Sequence, residues 1–466
     1  MIRRIPSDTS VAFSLAELAR TLCRIAPLVG LSFALAACEP PAAPVTPSRA
    51  RVAPAAPIPP PSALDAQAAP PSAPPAVAPE PAAANPRSEL ARRDNAFALD
   101  LFARTRAHTG NLVLSPFSIS TALTMTWAGA KGETAAQMAK VLHLEGLDKR
   151  VLEVAGALVK EYGAAGSKVT LRVANRLFGQ KGYPFEPPYL AELQGAFGAP
   201  LEPLDFKAAV EPSRGHINAW VARETRDHIR DLIPSGGLDD RTRLVLTNAS
   251  YFLGDWAVAF DRKASRPAPF FIGAGETRSV PTMHQETVLR FAAIDGVNVL
   301  EMPYVDRALA MTIVLPDTMD GLPAVEARLT PATLDRWIRA EQRVPIQLSL
   351  PRLTVAPQES LSLGDTLSAM GMPLAFNASQ ADFSGIGQAP ASEQRLSLSR
   401  IFHSAFLAMN EKGTEAAAAT AAVALADPSA TLPQELKIDH PFLFFLRDTR
   451  TGLVLFMGRV ADPSSS

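Results

Sequence analysis

The chain has 466 residues, of which 47% are hydrophobic, and its 45 basic and 46 acidic side chains give a formal net charge of −1 at pH 7. This length allows a substantial buried core, and the even scatter of charge argues against a nucleic-acid partner. The two cysteines, Cys23 and Cys38, both precede the globular part. A disulfide framework or a cysteine-ligated metal site is therefore excluded there.

The first 37 residues have the pattern of an export signal. Arg20 and Arg24 precede an apolar run at 25–37, which has the length of a secretory hydrophobic region and is too short to span a bilayer. The tetrapeptide LAAC at 35–38 resembles the bacterial lipobox, and this resemblance implies that Cys38 becomes the lipidated amino terminus. The alternative is a plain signal peptide that leaves Cys38 as a free thiol.

Residues 38–88 are predicted to form a disordered tether. Most residues of this segment are Ala, Pro, Ser or Val, a composition that favours extended polyproline geometry. About fifty residues at ~3 Å each could hold a domain up to ~150 Å from a membrane. Glu39 beside the cysteine resembles the pattern of lipoproteins sent to an outer membrane. The predicted localisation is thus an exported lipoprotein, anchored to the outer membrane or the cell surface.

Ordered structure is predicted to begin near Asn95, where apolar residues recur at helical spacing. A second helix is expected to begin at Pro116, with Ser115 as its N-cap. Two strands are predicted further on: VPIQLSLP at 344–351 alternates apolar and polar residues, and ALAMTIVLP at 308–316 has the apolar content of a strand buried on both faces. Helices in the first half and strands in the second favour an α+β fold.

From about residue 95 to residue 463 the chain resembles a serpin, a serine-protease-inhibitor fold. The segments that carry the resemblance are, in order, NLVLSPFSISTALTMTWAGAKGETAAQM, LTNASYFLGDW, LEMPYVDRALAMTIVLP, SLPRLTV, LGDTLSAMGMPLAF, ADFSGI and HPFLFFLRDTRTGLVLFMGRV. The resemblance implies a serpin domain at 89–464, in which helices pack around three β-sheets and an exposed reactive-centre loop lies at about 411–433. Arg226-Asp227-His228 departs from the family, which usually has a glycine-containing turn there.

The resemblance also implies a function. A serpin offers its loop to a protease as a suicide substrate, forms an acyl-enzyme, and traps it when the cut loop inserts as a new strand into the main sheet. The chain is therefore expected to inhibit a serine protease and not to be an enzyme. The alternatives are a binding or storage module that keeps the fold without inhibition, and an inhibitor of cysteine proteases that uses the same trap.

The run GTEAAAATAAVALA at 413–426 has the pattern that such insertion requires. Its buried side must carry small, uncharged side chains, because burying a carboxylate or a bulky group is costly. With period two from Thr414, the inward residues are Thr or Ala, and the charge of Glu415 points outward. An exposed alanine helix or a flexible linker is the alternative interpretation. The predicted loop hinge consists of Gly413, Thr414, Glu415, Ala416, Ala417, Ala418, Ala419 and Thr420.

Four polar positions, Ser115, Ser118, Asn248 and His403, match the cluster that controls sheet opening in serpins, and Trp256 is expected at the top of the sheet. A hydrogen-bonded network of this kind can set the barrier to insertion. Taken singly, Ser115 could be a helix cap and His403 a satisfied core histidine. The chain contains neither a G-x-S-x-G nor an H-E-x-x-H motif, so we expect no catalytic serine, no metal and no cofactor.

The scissile bond has several candidates. Counting forward from Gly413 gives Asp427, but Pro428 follows it, and counting back from Pro441 gives Ala430. Ala426 is preferred as the bait residue, then Leu425. Because 413–432 contains no Arg or Lys, an elastase-, subtilisin- or chymotrypsin-like target is favoured over a trypsin-like one. The expected protein acts as a monomer, with the protease and the membrane as its partners.

Overall fold

The computed structural model describes residues 85–164, 169–198, 201–273, 275–355, 360–389, 395–414 and 432–465. The predicted signal peptide, the predicted lipidation site Cys38 and nearly all of the predicted tether lie outside these ranges. The loop residues 415–431, which include the four candidate bait residues, lie outside them as well.

The helices of the described part are concentrated in its first half. They are α1 (Pro86–Thr105), α2 (Pro116–Trp127), α3 (Gly132–Val141), α4 (Arg150–Tyr162), α5 (Pro187–Phe197), α6 (Val210–Glu224), α7 (Leu322–Ala327), α8 (Pro331–Ala340) and α9 (Gly364–Met370). A single 3₁₀ turn at Pro373–Phe376 follows α9.

The first helix begins earlier than the sequence indicated. Asn85 caps α1 by accepting a hydrogen bond from the Arg87 N–H at 3.0 Å, and Pro86 occupies its first position. The predicted start near Asn95 was wrong because residues 86–93 are mostly polar and show no apolar repeat. Within 86–93, only Leu90 and Ala91 are buried apolar residues.

The strands form most of the second half. They are β1 (Leu112–Leu114), β2 (Val169–Gln180), β3 (Glu202–Leu204), β4 (Leu244–Asp255), β5 (Arg266–Gly273), β6 (Glu276–Ile294), β7 (Val297–Pro303), β8 (Leu309–Pro316), β9 (Gln342–Pro351), β10 (Leu353–Val355), β11 (Leu361–Ser362), β12 (Arg400–Met409), β13 (Gly413–Thr414), β14 (Gln434–Lys437), β15 (Phe442–Asp448) and β16 (Val454–Val460). The two strands predicted from the sequence are confirmed as β8, which is buried at every residue, and β9.

These strands connect into two hydrogen-bonded sheets. One has the order β1-β16-β15-β8-β7-β6-β9-β14 with β5 on β6, and the other has the order β10-β12-β4-β2-β3 with β11 on β12 and β13 on β4. The α+β fold is confirmed, although the resemblance implied three sheets. The difference arises because the 19-residue β6 pairs with β5 near its start and with β7 at its end, so that it joins two groups of strands.

The second sheet, which we call the central sheet, packs its inner face on α2. This helix is buried along its whole length except at Trp127, and it contacts β16 of the first sheet as well as β2 and β4 of the central sheet. The turn after α6, where glycine was expected from the family, holds Arg226 and Asp227 at φ 48° and 65°. The left-handed backbone is thus kept without glycine, at some local strain.

Candidate functional site

The central sheet divides at one end. β4 and β12 are parallel neighbours from the pair Val245–Arg400 to the pair Tyr251–Phe406, and beyond this point they no longer pair with each other. The short strand β13 takes the place of β12 there, with Gly413 opposite Asp255 in antiparallel register. The chain that leaves β12 therefore folds back alongside β4.

A tight turn at Asn410–Gly413, which we call the hinge turn, makes this reversal. The Asn410 N–H donates to the Gly413 carbonyl at 2.8 Å, and the Gly413 N–H donates to the Asn410 carbonyl at 3.1 Å. Gly413 has φ +147°, and a Cβ there would overlap the Gly254 carbonyl oxygen and lie 2.7 Å from Asp255 Cα. Only glycine fits both the backbone conformation and the close approach to β4.

Trp256 holds the hinge turn against the end of β4. Its backbone N–H donates to the Lys412 carbonyl at 2.7 Å, and its indole N–H donates to the Asn410 carbonyl at 3.0 Å. The indole ring stacks on Tyr304 with centroids 4.6 Å apart. Trp256 is 4% exposed, so it both packs in the core and clamps the turn.

The four polar residues predicted as a gate lie together in one buried cluster, each with 0% exposure. Asn248 on β4 donates through Nδ2 to Ser118 Oγ at 2.8 Å, and its Oδ1 contacts His403 Nδ1 on β12. His403 Nε2 accepts from the Ser115 N–H at 3.2 Å. The cluster thus ties the first residues of α2 to both of the parallel strands. Its role as a gate stays a proposal.

Asn175 on β2 is a further member that the sequence analysis missed. Its Oδ1 accepts from Ser118 Oγ at 3.0 Å and from Asn248 Nδ2 at 2.8 Å, and its Nδ2 donates to the Ser118 carbonyl at 2.8 Å. The available signal was an asparagine in the middle of a strand, a position from which this residue is depleted. The buried polar cluster, which we call the gate after its proposed role, therefore spans three strands, β2, β4 and β12.

His403 must be neutral for these bonds to form. Burial lowers the pKa of His403 from 6.5 to about 3. The neutral ring can donate from Nδ1 to Asn248 Oδ1 and accept at Nε2, whereas a protonated ring would direct an N–H at the Ser115 N–H. Ser115 Oγ donates to the Leu455 carbonyl at 2.9 Å, so it neither caps α2 nor bonds to the imidazole. This geometry does not make a serine–histidine dyad.

The gate and the clamped hinge turn are separate sites. Asn248 lies in the middle of β4 and Trp256 directly follows its last residue, eight positions further on, which corresponds to ~26 Å of extended chain. Of the predicted hinge, Gly413 and Thr414 form β13, and residues 415–420 lie outside the described ranges. Across the described ranges, no group of three His, Cys, Asp or Glu side chains could hold a metal ion.

Comparisons with known proteins agree with this fold. The chain is 39% identical to leukocyte elastase inhibitor A of Rattus norvegicus and 38% identical to leukocyte elastase inhibitor of Homo sapiens, in each case over 80% of this chain and 100% of the relative. The solved structure of uncleaved ovalbumin is 28% identical, with a TM-score of 0.73 over 80% of this chain and 100% of that chain. The relatives named as inhibitors confirm that the chain is an inhibitor and not an enzyme.

The predicted localisation is contradicted by the same relatives. Both inhibitors align over their full length and leave a fifth of this chain unmatched, so they have no counterpart of the segment predicted to form a leader, a lipidated Cys38 and a tether. The prediction of an exported lipoprotein at the outer membrane or cell surface is therefore wrong. It rested on a short apolar run and one tetrapeptide, a pattern that alanine-rich sequence satisfies easily. Within the described residues, no helix is long and apolar enough to cross a membrane.

The family assignment rests on agreement between sequence and geometry. A model of the family described as "Serpin (serine protease inhibitor)" matches residues 92–463. The same span contains the divided central sheet, the glycine hinge turn and the buried polar cluster. The chain belongs to the serpin family.

Proposed function

We propose that the chain traps its target when the segment after Gly413, once cut, extends β13 between β4 and β12. The observation that supports this is the pairing already made by β13, in which Gly413 lies opposite Asp255 and Thr414 opposite Gly254. The inserted strand would continue this ladder in the antiparallel direction. We also propose 89–464 as the inhibitory domain and 411–433 as its reactive-centre loop.

The existing register predicts which residues meet. Continued without a shift, it would bring Ala416 opposite Phe252, Thr420 opposite Asn248, and Ala424 opposite Leu244, where β4 begins. The segment 414–424 therefore has the length of the available strand. Thr420 would arrive at the gate, so the bond between Asn248 and His403 would have to break before insertion could pass it.

The register also predicts which face each side chain joins. On β4, Leu246 and Phe252 belong to the main core, whereas Val245 and Ala249 belong to the smaller cluster on the other face. Because directly opposed residues share a face, the even-numbered loop residues would turn toward the main core. These are Thr414, Ala416, Ala418, Thr420, Ala422 and Ala424. Glu415 would lie on the other face, opposite the half-buried Leu253.

Every candidate bait residue follows the end of this strand. Leu425, Ala426, Asp427 and Ala430 all come after Ala424, so a protease acylated at any of them would be carried past the far end of β4. The 12 residues of β4 correspond to a displacement of ~40 Å at ~3.3 Å per residue. Such a movement would press the enzyme against the opposite end of the inhibitor.

We propose an elastase-like serine protease as the target. Two relatives are named as inhibitors of leukocyte elastase, and Ala426 or Leu425 would suit a small apolar pocket. Subtilisin- and chymotrypsin-like enzymes remain within the proposed class, and a trypsin-like enzyme does not. The chain would act as a monomer, without cofactor or nucleic acid. The relatives favour trapping over the binding or storage alternative.

Two matched variants test the mechanism. The full chain and its Thr414→Arg and Glu415→Arg variants are each incubated with elastase, subtilisin and papain, and complexes that survive boiling in detergent are separated by electrophoresis. We expect the parent and Glu415→Arg to form such a complex with elastase, and Thr414→Arg to be cleaved without one, because its charge would enter the core. Cleaved fragments alone with every protease would refute trapping. A complex with papain only would favour the cysteine-protease alternative.

A further inference from the structure

A cleft opens beside Trp256, away from the gate. It has about 910 Å³ of empty space, part of which is open to solvent. Its walls come from the segment that follows β4, the middle of β6 and the end of β7, with single contributions from β9 and two loops. The lining residues are Trp256, Ala257, Val258, Gln285, Val288, Leu289, Arg290, Glu301, Met302, Pro303, Arg307, Arg343 and Thr449.

The cleft contains more positive charge than its acids can neutralise. Glu301, the one acidic residue of the lining, already pairs with the buried Arg447 and lies 3.5 Å from Arg290. The exposed side chains of Arg307 and Arg343 form no hydrogen bond or ion pair with any described residue. Two guanidinium groups therefore face the cleft without a counterion.

The strand register makes this excess charge costly. Arg343 on β9 lies directly opposite Arg290 on β6, and like charges at directly opposed positions destabilise a sheet. The charge of Arg290 is offset by two acids. Glu301 lies opposite it on β7, and Glu341 Oε2 lies 3.2 Å from Arg290 Nε. Arg343 has no such acid. A bound anion would supply the missing charge.

An unpaired acceptor also lies in the wall. The side-chain oxygen Oε1 of Gln285 is buried and accepts no hydrogen bond from any described residue. An unsatisfied buried acceptor is costly, so rotation of this amide toward a ligand that carries an N–H or O–H donor would be favourable. Val288, Leu289, Met302 and Pro303 add apolar surface to the lining.

We propose that this cleft binds a small amphipathic organic anion, with its acidic group held by Arg343 and Arg307 and a donor group directed at Gln285. Guanidinium groups suit the carboxylate, sulfonate or phosphate of such a ligand, because they can donate two parallel hydrogen bonds. The apolar body would rest on β6 and β7 and against Trp256. The site uses no residue of the buried polar cluster or of the hinge turn itself, although its Trp256 also holds that turn through two hydrogen bonds.

The probe for this site is 8-anilinonaphthalene-1-sulfonate, which combines an acidic group, an apolar body and one N–H. Titration of the full chain followed by calorimetry should show a single saturable site. The double variant Arg343→Gln with Arg307→Gln should weaken binding by about tenfold or more, since it removes two charge-assisted contacts. Arg266→Gln is the matched control, because Arg266 is exposed and unpaired among the described residues but lies outside the cleft.

A comparison of two probes separates the contribution of the ligand's charge to binding from that of its apolar rings. N-phenyl-1-naphthylamine has the same rings and N–H without the sulfonate, and it should bind at least about tenfold more weakly than the anionic probe. The unliganded Arg343→Gln variant should melt no lower than the parent, because the substitution relieves the repulsion from Arg290. Equal affinity of the parent and the double variant for the anion, equal affinity of the two probes, or no saturable binding below about 1 mM would overturn the proposal.

Discussion

Asn248 and His403 lie directly opposite each other on the parallel strands β4 and β12, and a side-chain hydrogen bond joins them across the strand pair. These are the two strands that must part if the loop is to insert. The bond needs a neutral imidazole, and it is supported from α2 by Ser118 and from β2 by Asn175. A neutral His403 therefore helps to hold the two strands together.

The first prediction concerns pH. Burial holds the pKa of His403 at about 3, below its ordinary value of 6.5. Between these values the unfolded chain binds a proton that the folded chain does not, so this histidine's contribution to stability is lost as pH falls from 6.5 toward 3. The melting temperature of the parent should fall more between pH 7.5 and 5 than that of His403→Gln, by an amount that corresponds to about 2 kcal/mol. If the melting temperatures of the parent and of His403→Gln change equally with pH, the fold does not hold His403 neutral.

A second prediction concerns the gate member on β2. Asn175→Ala removes the acceptor shared by Ser118 Oγ and Asn248 Nδ2, and it should lower the free energy of unfolding by about 1–3 kcal/mol. Arg172→Ala on the same strand is the control, since Arg172 forms no hydrogen bond or ion pair with a described residue. Denaturant titration measures both variants. If Asn175→Ala is no less stable than Arg172→Ala, Asn175 does not support the gate.

The hinge turn gives a third prediction. In Gly413→Ala, the new Cβ would overlap the Gly254 carbonyl, and the residue would have to keep φ near +147°. β13 should then detach from β4, so that insertion starts late and several inhibitor molecules are cleaved for each complex formed. Gly215→Ala is the control, because a Cβ at Gly215 meets no atom within 4 Å. The stoichiometry of inhibition against elastase measures the effect, and an unchanged value for Gly413→Ala would show that the turn is dispensable.

A buried acid on α1 supplies the fourth prediction. Burial raises the pKa of Asp94 from 3.8 to about 7, and a hydrogen bond from Ser120 acts in the opposite direction. The folded chain therefore binds more protons than the unfolded chain between these values, and the stability that Asp94 contributes is lost as pH rises from 3.8 through 7. Asp94→Asn should raise the melting temperature more at pH 8 than at pH 5. An equal gain at both pH values would mean that Asp94 is not held protonated by the fold.

Much of the fold and part of the site could be predicted from the sequence, because their signals are local. The apolar run of β8, the alternation of β9 and the Ser115-Pro116 helix start each lie within one element. The turn at Gly413 could be predicted because glycine is a local signal, whereas the prediction for the small residues at 415–420 falls outside the described residues.

Features that depend on distant pairing could not be predicted. The role of Asn175 depends on its register opposite Asn248, 73 residues along the chain, which no local pattern encodes. β6 joins two groups of strands because it pairs with three partners, β5, β7 and β9. The excess positive charge of the cleft depends on the register that places Arg343 opposite Arg290. The prediction of the localisation was wrong for the opposite reason: it relied on a local pattern, the apolar run at 25–37 and the tetrapeptide LAAC, that is too short to establish export.

The most direct test of loop insertion is the thermal unfolding of the full chain before and after a single cut within 425–430. Insertion in the register of β13 would add a strand to the centre of the sheet, and each new backbone hydrogen bond is worth about 1 kcal/mol. We expect the cut chain to melt at least about 10 °C above the intact chain. A cut chain that melts at or below the temperature of the intact chain would contradict the proposed trap.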